Sequence, residues 1–179
     1  MAIEQFADRG VDAASLRSIG EAIGVSHTAL RHYFSSRDEL LIEVYRTHES
    51  LTRYPPASQR IDPIAAIADA AEANRGVPGL VQLYSTLAND ALGDQHPVTR
   101  DFIAERFEHL RDVIATAVRS RQETGVLRPD VDPLDVAALV IAASDGLQIQ
   151  WILAPDTVDV ARCLNLVNTL LSPAPPAPS

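Results

Sequence analysis

The 179-residue chain contains no lysine, one cysteine and few aromatic residues. Its single cysteine, Cys163, cannot form an internal disulfide, which is typical of a protein from a reducing cytoplasm. All 15 basic residues are arginine, and the abundant alanine, aspartate and proline indicate a GC-rich coding bias as the cause. With 24 acidic residues the net charge is −9, which taken alone argues against nucleic-acid binding.

Long apolar runs are also missing. In the most apolar region the run 136–144 is free of charge, and it is far short of the ~20 residues that span a bilayer. The N-terminal residues include acids where a secretory signal has a basic and then an apolar segment. We therefore expect a soluble cytoplasmic protein without a membrane partner.

The sequence gives no support for catalysis. Its five histidines are scattered, at positions 27, 32, 48, 96 and 109. No set of histidine, cysteine or acidic residues has metal-ligand spacing, and no glycine-rich phosphate loop is present. We predict that the protein is not an enzyme and needs neither a metal nor another cofactor.

Helix signals dominate the chain, and the period-two alternation of strands is nearly absent. Ser36 with Glu39 fits a capping box, while Asp62-Pro63 and Asp132-Pro133 each place an N-cap before a first-turn proline. The two prolines after Tyr54 interrupt the helical pattern, so the segment 53–60 is the best candidate for a linker between the two parts of the chain. The signals predict helices over about 1–9, 15–23, 27–33, 36–52, 62–74, 80–92, 96–125, 132–153 and 156–171.

The first three predicted helices have the pattern of a helix-turn-helix DNA-binding module. Gly24 permits the tight turn between the second and third helices, and Ser26 can cap the third. Leu30 and Phe34 are four residues apart and can face a small core. The predicted partners in that core are Phe6, Leu16, Ile19, Ile23 and Val25.

The stretch Phe6 to Leu41 resembles the DNA-binding domain of TetR-family transcriptional regulators. The matching segments are Phe6-Ala7-Asp8-Arg9-Gly10, Ser15-Leu16-Arg17-Ser18-Ile19, Ile23-Gly24-Val25-Ser26, Leu30-Arg31-His32-Tyr33-Phe34 and Ser36-Arg37-Asp38-Glu39-Leu40-Leu41. The first helix is shorter than is usual in the family, so any basic arm before it is missing from this sequence.

The resemblance implies which residues contact DNA: Ser15, Arg17, Ser26, His27, Thr28, Arg31, His32, Tyr33 and Arg37. Arg31 stands where the family usually has tyrosine, and it can donate to guanine O6 and N7 for ~1–3 kcal/mol of discrimination. We expect Arg37 to clamp a phosphate. The alternatives are that Arg31, His27 and His32 are ordinary exposed side chains and that Tyr33 packs at the edge of the small core.

The charges are unevenly distributed. Residues 15–37 contain three arginines and one acid, whereas residues 47–179 contain 10 arginines and 17 acids. The acidity therefore belongs mainly to the second part of the chain. We expect it to repel DNA away from the binding face and to lower non-specific affinity.

The second part of the chain weakly resembles the ligand-binding and dimerising domains of a subgroup of the same family. The resemblance is carried by Asp94-Gln95-His96-Pro97, the segment 125–132 and the segment 145–151. The last helix has two apolar stripes, one of them containing Cys163, Leu166 and Leu170, and the second stripe implies a second packing surface. We predict a dimer through a four-helix bundle of 133–153 and 156–171 from each chain. The predicted interface residues are Leu139, Ala142, Ala143, Gly146, Val160, Leu164, Val167 and Leu171.

A pocket for an apolar or aromatic effector is predicted in the middle of the second part. Three of the candidate residues, Tyr84, Gln148 and Trp151, combine an apolar body with a polar tip, which suits a ligand site. The alternative for each candidate is that it is simply a core residue. The candidates are Leu83, Tyr84, Leu87, Phe102, Phe107, Ile114, Gln148 and Trp151.

The predicted fold is all-α. A helix-turn-helix DNA-binding domain over 1–46 precedes a helical ligand-binding and dimerisation domain over 47–171 and a proline-rich, disordered tail over 172–179. The function most consistent with this organisation is a dimeric repressor that binds a palindromic operator and is released by a small effector. The alternative is an all-α, small-molecule-binding dimer that has lost DNA binding.

Overall fold

The computed structural model describes residues 3, 10, 11, 15–51 and 62–173. Most of the predicted first helix, including Phe6, lies outside the described residues. The same holds for the linker 53–60 and for nearly all of the predicted tail. Within the described ranges every regular element is a helix, so the predicted all-α fold is confirmed.

Eight helices make up the described part of the chain. They are α1 Leu16–Ile23, α2 His27–Tyr33, α3 Arg37–Leu51, α4 Pro63–Arg75, α5 Leu80–Asp90, α6 Pro97–Glu123, α7 Pro133–Leu153 and α8 Val160–Leu171. Seven of them begin and end within a few residues of the predicted bounds. The prediction that the last helix begins at 156 is wrong, because Asp159 is the residue whose side chain accepts from the Arg162 backbone N–H and caps α8.

Local capping explains the helix starts. The Asp62 carboxylate accepts from the Ile64 and Ala65 backbone N–H groups at the start of α4, and Asp132 does the same at the start of α7. Before α3 the Ser36 hydroxyl accepts from the Glu39 N–H at 3.1 Å. The Glu39 carboxylate accepts from the Ser35 N–H and hydroxyl, both at 2.7 Å. These hydrogen bonds lower the pKa of Glu39.

The chain forms two compact units, one from 1–53 with 73–106 and the other from 54–72 with 107–179. The first unit contains α1, α2, α3, α5, the end of α4 and the start of α6. In it α1 packs on α2, and α3 packs on α5. Its core residues include Ile19, Leu30, Leu40, Leu41, Tyr45, Leu80, Leu83, Leu87 and Ile103. The predicted domain bounds, 1–46 and 47–171, stay a prediction.

The second unit contains the start of α4, the rest of α6, and the whole of α7 and α8. Its core contains Ile64, Ile67, Leu110, Ile114, Val118, Leu127, Val136, Val140, Val160, Leu164 and Leu171. Asp62 connects three of its elements, since the carboxylate that caps α4 also accepts from Arg121 of α6 at 3.0 Å and from Asn168 of α8. This cap is therefore part of the tertiary structure.

By length and composition, α7 is the one described helix that could cross a membrane, with one third of its apolar window buried. It packs on α8 and contributes Val136, Ala137, Val140 and Ile141 to the core of the second unit. The core helix of a soluble protein has the same length and composition.

Candidate nucleic-acid interface

The turn between α1 and α2 depends on a close approach of the two helices at Gly20. The Gly20 carbonyl accepts from the Val25 N–H at 2.9 Å and from the Gly24 N–H. A Cβ placed on Gly20 would lie 2.6 Å from the Val25 carbonyl oxygen and 3.1 Å from Leu30 Cδ1. Gly24 closes the turn with φ +73°, as predicted, since a side chain is strained in this region. These two glycines set the angle at which α2 is presented.

Two of the predicted DNA-binding residues are helix caps. Ser15 caps α1 and forms a reciprocal capping box with Ser18. Ser26 caps α2 by accepting from the Ala29 N–H at 3.2 Å. Both residues are exposed, so their hydroxyl groups lie at the surface beside the helix N-termini, where backbone N–H groups favour anions such as phosphate.

The outer face of α2 is polar and solvent-exposed. His27, Thr28, Arg31 and His32 are all exposed, whereas Leu30 is 4% exposed and fixes the helix to the core. This separation is what a recognition helix requires, since base edges need accessible donors and acceptors.

Tyr33 is also part of this outer surface. It is 76% exposed, and its ring lies edge-on to that of His32 with the centroids 5.3 Å apart. Of the two interpretations of Tyr33, packing in the core is therefore wrong, because most of its surface contacts solvent. The phenol is free to reach a phosphate.

The two remaining arginines of this set have intramolecular partners. Arg17 on α1 forms an exposed ion pair with Glu21 at 3.0 Å. Arg37, at the start of α3, is half-buried and donates from Nη2 to the Val11 carbonyl at 2.6 Å. Arg37 therefore ties α3 to the segment before α1, and its predicted role as a phosphate clamp stays a prediction.

The predicted core of the module needs one correction. Ile19 is 1% exposed and Leu30 is buried, as expected, but Val25 is 37% exposed. Val25 lies in the turn, where its backbone rather than its side chain contacts α1. Leu16 and Phe34 are half-buried, and the Ile23 side chain lies outside the described set.

A cluster of aromatic rings and arginines joins α3, α5 and α6. Tyr45 stacks on Tyr84 with the centroids 5.5 Å apart and meets Phe102 edge-on at 6.0 Å. The Arg106 guanidinium lies 5.3 Å from both tyrosine rings, and that of Arg46 lies 5.0 Å from Phe102. Two of the predicted effector-contacting residues, Tyr84 and Phe102, are therefore engaged in packing between helices.

A cavity of about 380 Å³ lies in the first unit between α3 and α6. Four of its lining residues are acidic, and Phe102 is the member of the predicted effector set that lines it. The lining residues are Phe34, Glu39, Ile42, Glu43, Arg46, Val98, Asp101, Phe102 and Glu105.

The predicted effector residues fall into both units. Leu83, Tyr84, Leu87 and Phe102 are buried in the first unit. Phe107, Ile114, Gln148 and Trp151 belong to the second unit, where the buried Gln148 amide donates to Ser144 Oγ and to its carbonyl at 3.3 Å. That pairing accounts for the buried amide without a ligand.

The predicted dimer residues of α7 are exposed or partly exposed, whereas three of the four on α8 are buried. Leu139 is 58% exposed and Ala142 is exposed, while Ala143 and Gly146 are partly exposed on the same helix, α7. Val160, Leu164 and Leu171 are at most 8% exposed, because this stripe of α8 packs into the core of its own chain, with Val167 against it. Assigning those three residues to a partner surface is wrong. The stripe available to a partner contains Leu166, 58% exposed, and Leu170, 66% exposed.

Sequence reasoning missed four residues that shape the first unit: Gly20, Tyr45, Arg106 and Asp38, whose carboxylate lies 2.7 Å from His96 Nδ1. For Gly20 a signal was present, since a glycine inside a helix costs about 1 kcal/mol relative to alanine and indicates a packing reason. The other three depend on contacts between segments far apart in the chain, which helix periodicity does not reveal.

Comparison with known proteins matches one family model to the N-terminal part of the chain and another to the C-terminal part. Residues 1–44 match the family model described as bacterial regulatory proteins of the tetR family. Residues 88–173 match the model described as the C-terminal domain of BetI-type transcriptional repressors. One match covers the helix-turn-helix, and the other covers α6, α7 and α8.

Individual proteins give the same result. The chain is 27% identical over 173 residues to the transcriptional regulator TtgR of Pseudomonas putida, a match that covers 87% of this chain and 78% of TtgR. The structure of a SmeT–triclosan complex superposes with a TM-score of 0.75 at 19% identity, covering 99% of this chain and 96% of the other. The structure of a regulator from Saccharomonospora viridis in complex with choline superposes with a TM-score of 0.71 at 22% identity, and the match covers 94% of this chain and 90% of the other. The chain therefore belongs to the TetR family, whose members are transcriptional regulators rather than enzymes.

Proposed function

We propose that the protein is a cytoplasmic, dimeric repressor that binds a palindromic DNA operator and releases it when a small molecule binds. The observation that carries this proposal is the exposed polar face of α2, which presents Thr28, Arg31 and His32 while Leu30 anchors the helix. The set predicted to contact DNA is retained, with Arg31 as the main base-reading residue. The match to BetI-type repressors supports repression over activation.

Arg31→Ala is expected to weaken binding to the operator by about ten- to a hundredfold, which is the ~1–3 kcal/mol of a bidentate contact to guanine. The measurement is fluorescence anisotropy or a gel shift with duplex DNA from the region flanking the protein's own gene, over a salt series. The matched control is Arg119→Ala, which removes the same charge from an exposed position outside α2.

The same assay separates the proposal from its alternative. Specific wild-type binding that weakens with salt, with Arg31→Ala impaired and Arg119→Ala unaffected, supports the repressor. A folded wild-type dimer that binds no duplex even at low salt supports a ligand-binding protein that has lost DNA binding.

The dimer that we propose uses the exposed faces of α7 and α8. Leu139 and Ala142 of α7 and Leu166 and Leu170 of α8 are exposed apolar residues. Apart from the backbone of α7 itself, no atom lies within 4 Å of a Cβ placed on Gly146, so a partner helix can approach closely there. A two-fold pair of these helices forms a four-helix bundle and sets two α2 helices at the spacing of a palindromic site.

Leu166→Glu with Leu170→Glu is expected to convert a dimer into a monomer, because both side chains would leave carboxylates in the centre of the bundle. Sedimentation equilibrium at micromolar concentration measures this change. Leu92→Glu is the control, since Leu92 is 84% exposed and belongs to the other unit. A wild-type monomer, or a double variant that remains dimeric, contradicts the proposed interface.

The effector that we propose is a small apolar or aromatic compound. The SmeT structure contains triclosan, an aromatic compound of this class, whereas the Saccharomonospora viridis regulator contains choline, a small cation. The candidate contacts remain those predicted from the sequence, among which Trp151 is only half-buried. The effector would favour a conformation that cannot hold both α2 helices on DNA, and loss of the DNA complex on adding triclosan tests this part of the proposal.

A further inference from the structure

His96 and Asp38 connect two segments of the first unit that are 58 residues apart. His96 Nδ1 lies 2.7 Å from Asp38 Oδ2. His96 immediately precedes Pro97, the first residue of α6, and its carbonyl accepts from the Arg100 N–H. Asp38 lies in the first turn of α3. This contact therefore joins the start of α6 to the start of the helix that follows α2.

The same turn of α3 is tied to the DNA-binding module. Arg37, next to Asp38, donates to the Val11 carbonyl. The Phe34 N–H donates to the Leu30 carbonyl at the end of α2, and only Ser35 and Ser36 separate Phe34 from α3. A displacement of the first turn of α3 is thus transmitted directly to the end of α2.

We propose that His96 is a positioning residue for DNA binding, whose contact with Asp38 holds α3 and thereby α2 against the start of α6. This inference rests on the proposed function and assigns a task to the Asp94-Gln95-His96-Pro97 segment, which the DNA-binding face does not use. The Asp94 carboxylate forms an ion pair with Arg100, in which Oδ1 lies 2.8 Å from Nη2.

The pair is sensitive to pH. The hydrogen bond to Asp38 raises the pKa of His96, and the negative charges of Asp38 and Asp90 raise it further. Partial burial and the positive charge of Arg37 lower the same pKa, but the net shift is upward. Contact with Asp38 raises the pKa of His96. The ion pair between the two side chains is therefore fully formed at pH values below the ordinary histidine pKa, and it is lost as the pH rises through the raised pKa of His96.

The test compares wild type with His96→Gln, Asp38→Asn and the double variant on the DNA duplex that the wild type binds, at pH 6 and pH 8. At pH 6 each single variant is expected to bind roughly fivefold more weakly, and the double variant no more weakly than either single one. The wild type should lose more affinity between pH 6 and pH 8 than His96→Gln. His27 and His32 are present in every variant compared, so their contribution is the same throughout.

Asp94→Asn is the matched control, because it removes an acid from the same segment without touching Asp38. NMR titration of the His96 imidazole in the free protein is a readout that does not involve DNA, and Asp38→Asn should return the pKa to its ordinary range. Additive losses in the double variant, or equal pH dependence in wild type and His96→Gln, overturn the proposal. A wild type that binds no duplex contradicts the proposed function instead, while the NMR titration still reports whether the pair forms.

Discussion

Gly20→Ala is expected to abolish specific DNA binding and to lower the free energy of unfolding by about 1–3 kcal/mol. The added Cβ would lie 2.6 Å from the Val25 carbonyl oxygen, a backbone atom that cannot rotate away, and 3.1 Å from Leu30 Cδ1. Relief of these contacts requires α1 and α2 to separate, which changes the angle of the recognition helix. Denaturant unfolding and operator binding measure the two effects.

Gly93→Ala is the matched control for this change. It adds the same methyl group at an exposed position outside the proposed dimer interface, where the Asp90 carbonyl oxygen lies 3.6 Å from the new Cβ, an ordinary van der Waals distance. Its operator binding and its free energy of unfolding should therefore stay close to those of the wild type. If Gly20→Ala binds the operator like the wild type, the close approach of α1 and α2 does not determine recognition.

Asp62→Ala is expected to lower the free energy of unfolding by about 2–3 kcal/mol, more than the loss of an ordinary helix cap. Its carboxylate caps α4 and also accepts from Arg121 and Asn168. Asp62 and Arg121 are only 20% and 22% exposed, so removing the carboxylate leaves a poorly solvated guanidinium without this partner. Thermal and denaturant unfolding measure the loss.

The chain contains its own control for Asp62. Asp132 caps α7 with the same Asp-Pro start and the same two backbone hydrogen bonds, but it is exposed. Asp132→Ala should cost only about 1 kcal/mol, the value of the cap itself. Equal losses at the two positions would show that the contacts of Asp62 with Arg121 and Asn168 contribute nothing to stability.

Helix bounds were predictable because they depend on neighbouring residues. Asp62-Pro63, Asp132-Pro133 and Ser26 carry their capping groups within three positions of the N–H groups that they satisfy. The start of α8 was misjudged because Asp156 and Asp159 are both possible caps. The structure selects Asp159, after turns in which Ala154 accepts from Thr157 and Val158.

The candidate site was predictable only in part. The exposed face of α2 follows from the positions of Leu30 and the polar residues around it. In contrast, the two apolar stripes of α8 are equivalent in a helical pattern, and only packing against α7 decides that Leu164 is buried while Leu166 and Leu170 are exposed. The net charge of −9 was likewise misleading until its distribution along the chain was considered.

The sequence by itself determined the helical class, most helix ends and the polar face that α2 exposes, because each depends on interactions within a few positions of the chain. The tertiary structure alone decided which apolar stripe faces solvent, that Tyr84 stacks on Tyr45, and that His96 meets Asp38 across 58 residues. Such contacts arise when distant helices pack, and periodicity along one helix does not encode which helix will be its neighbour.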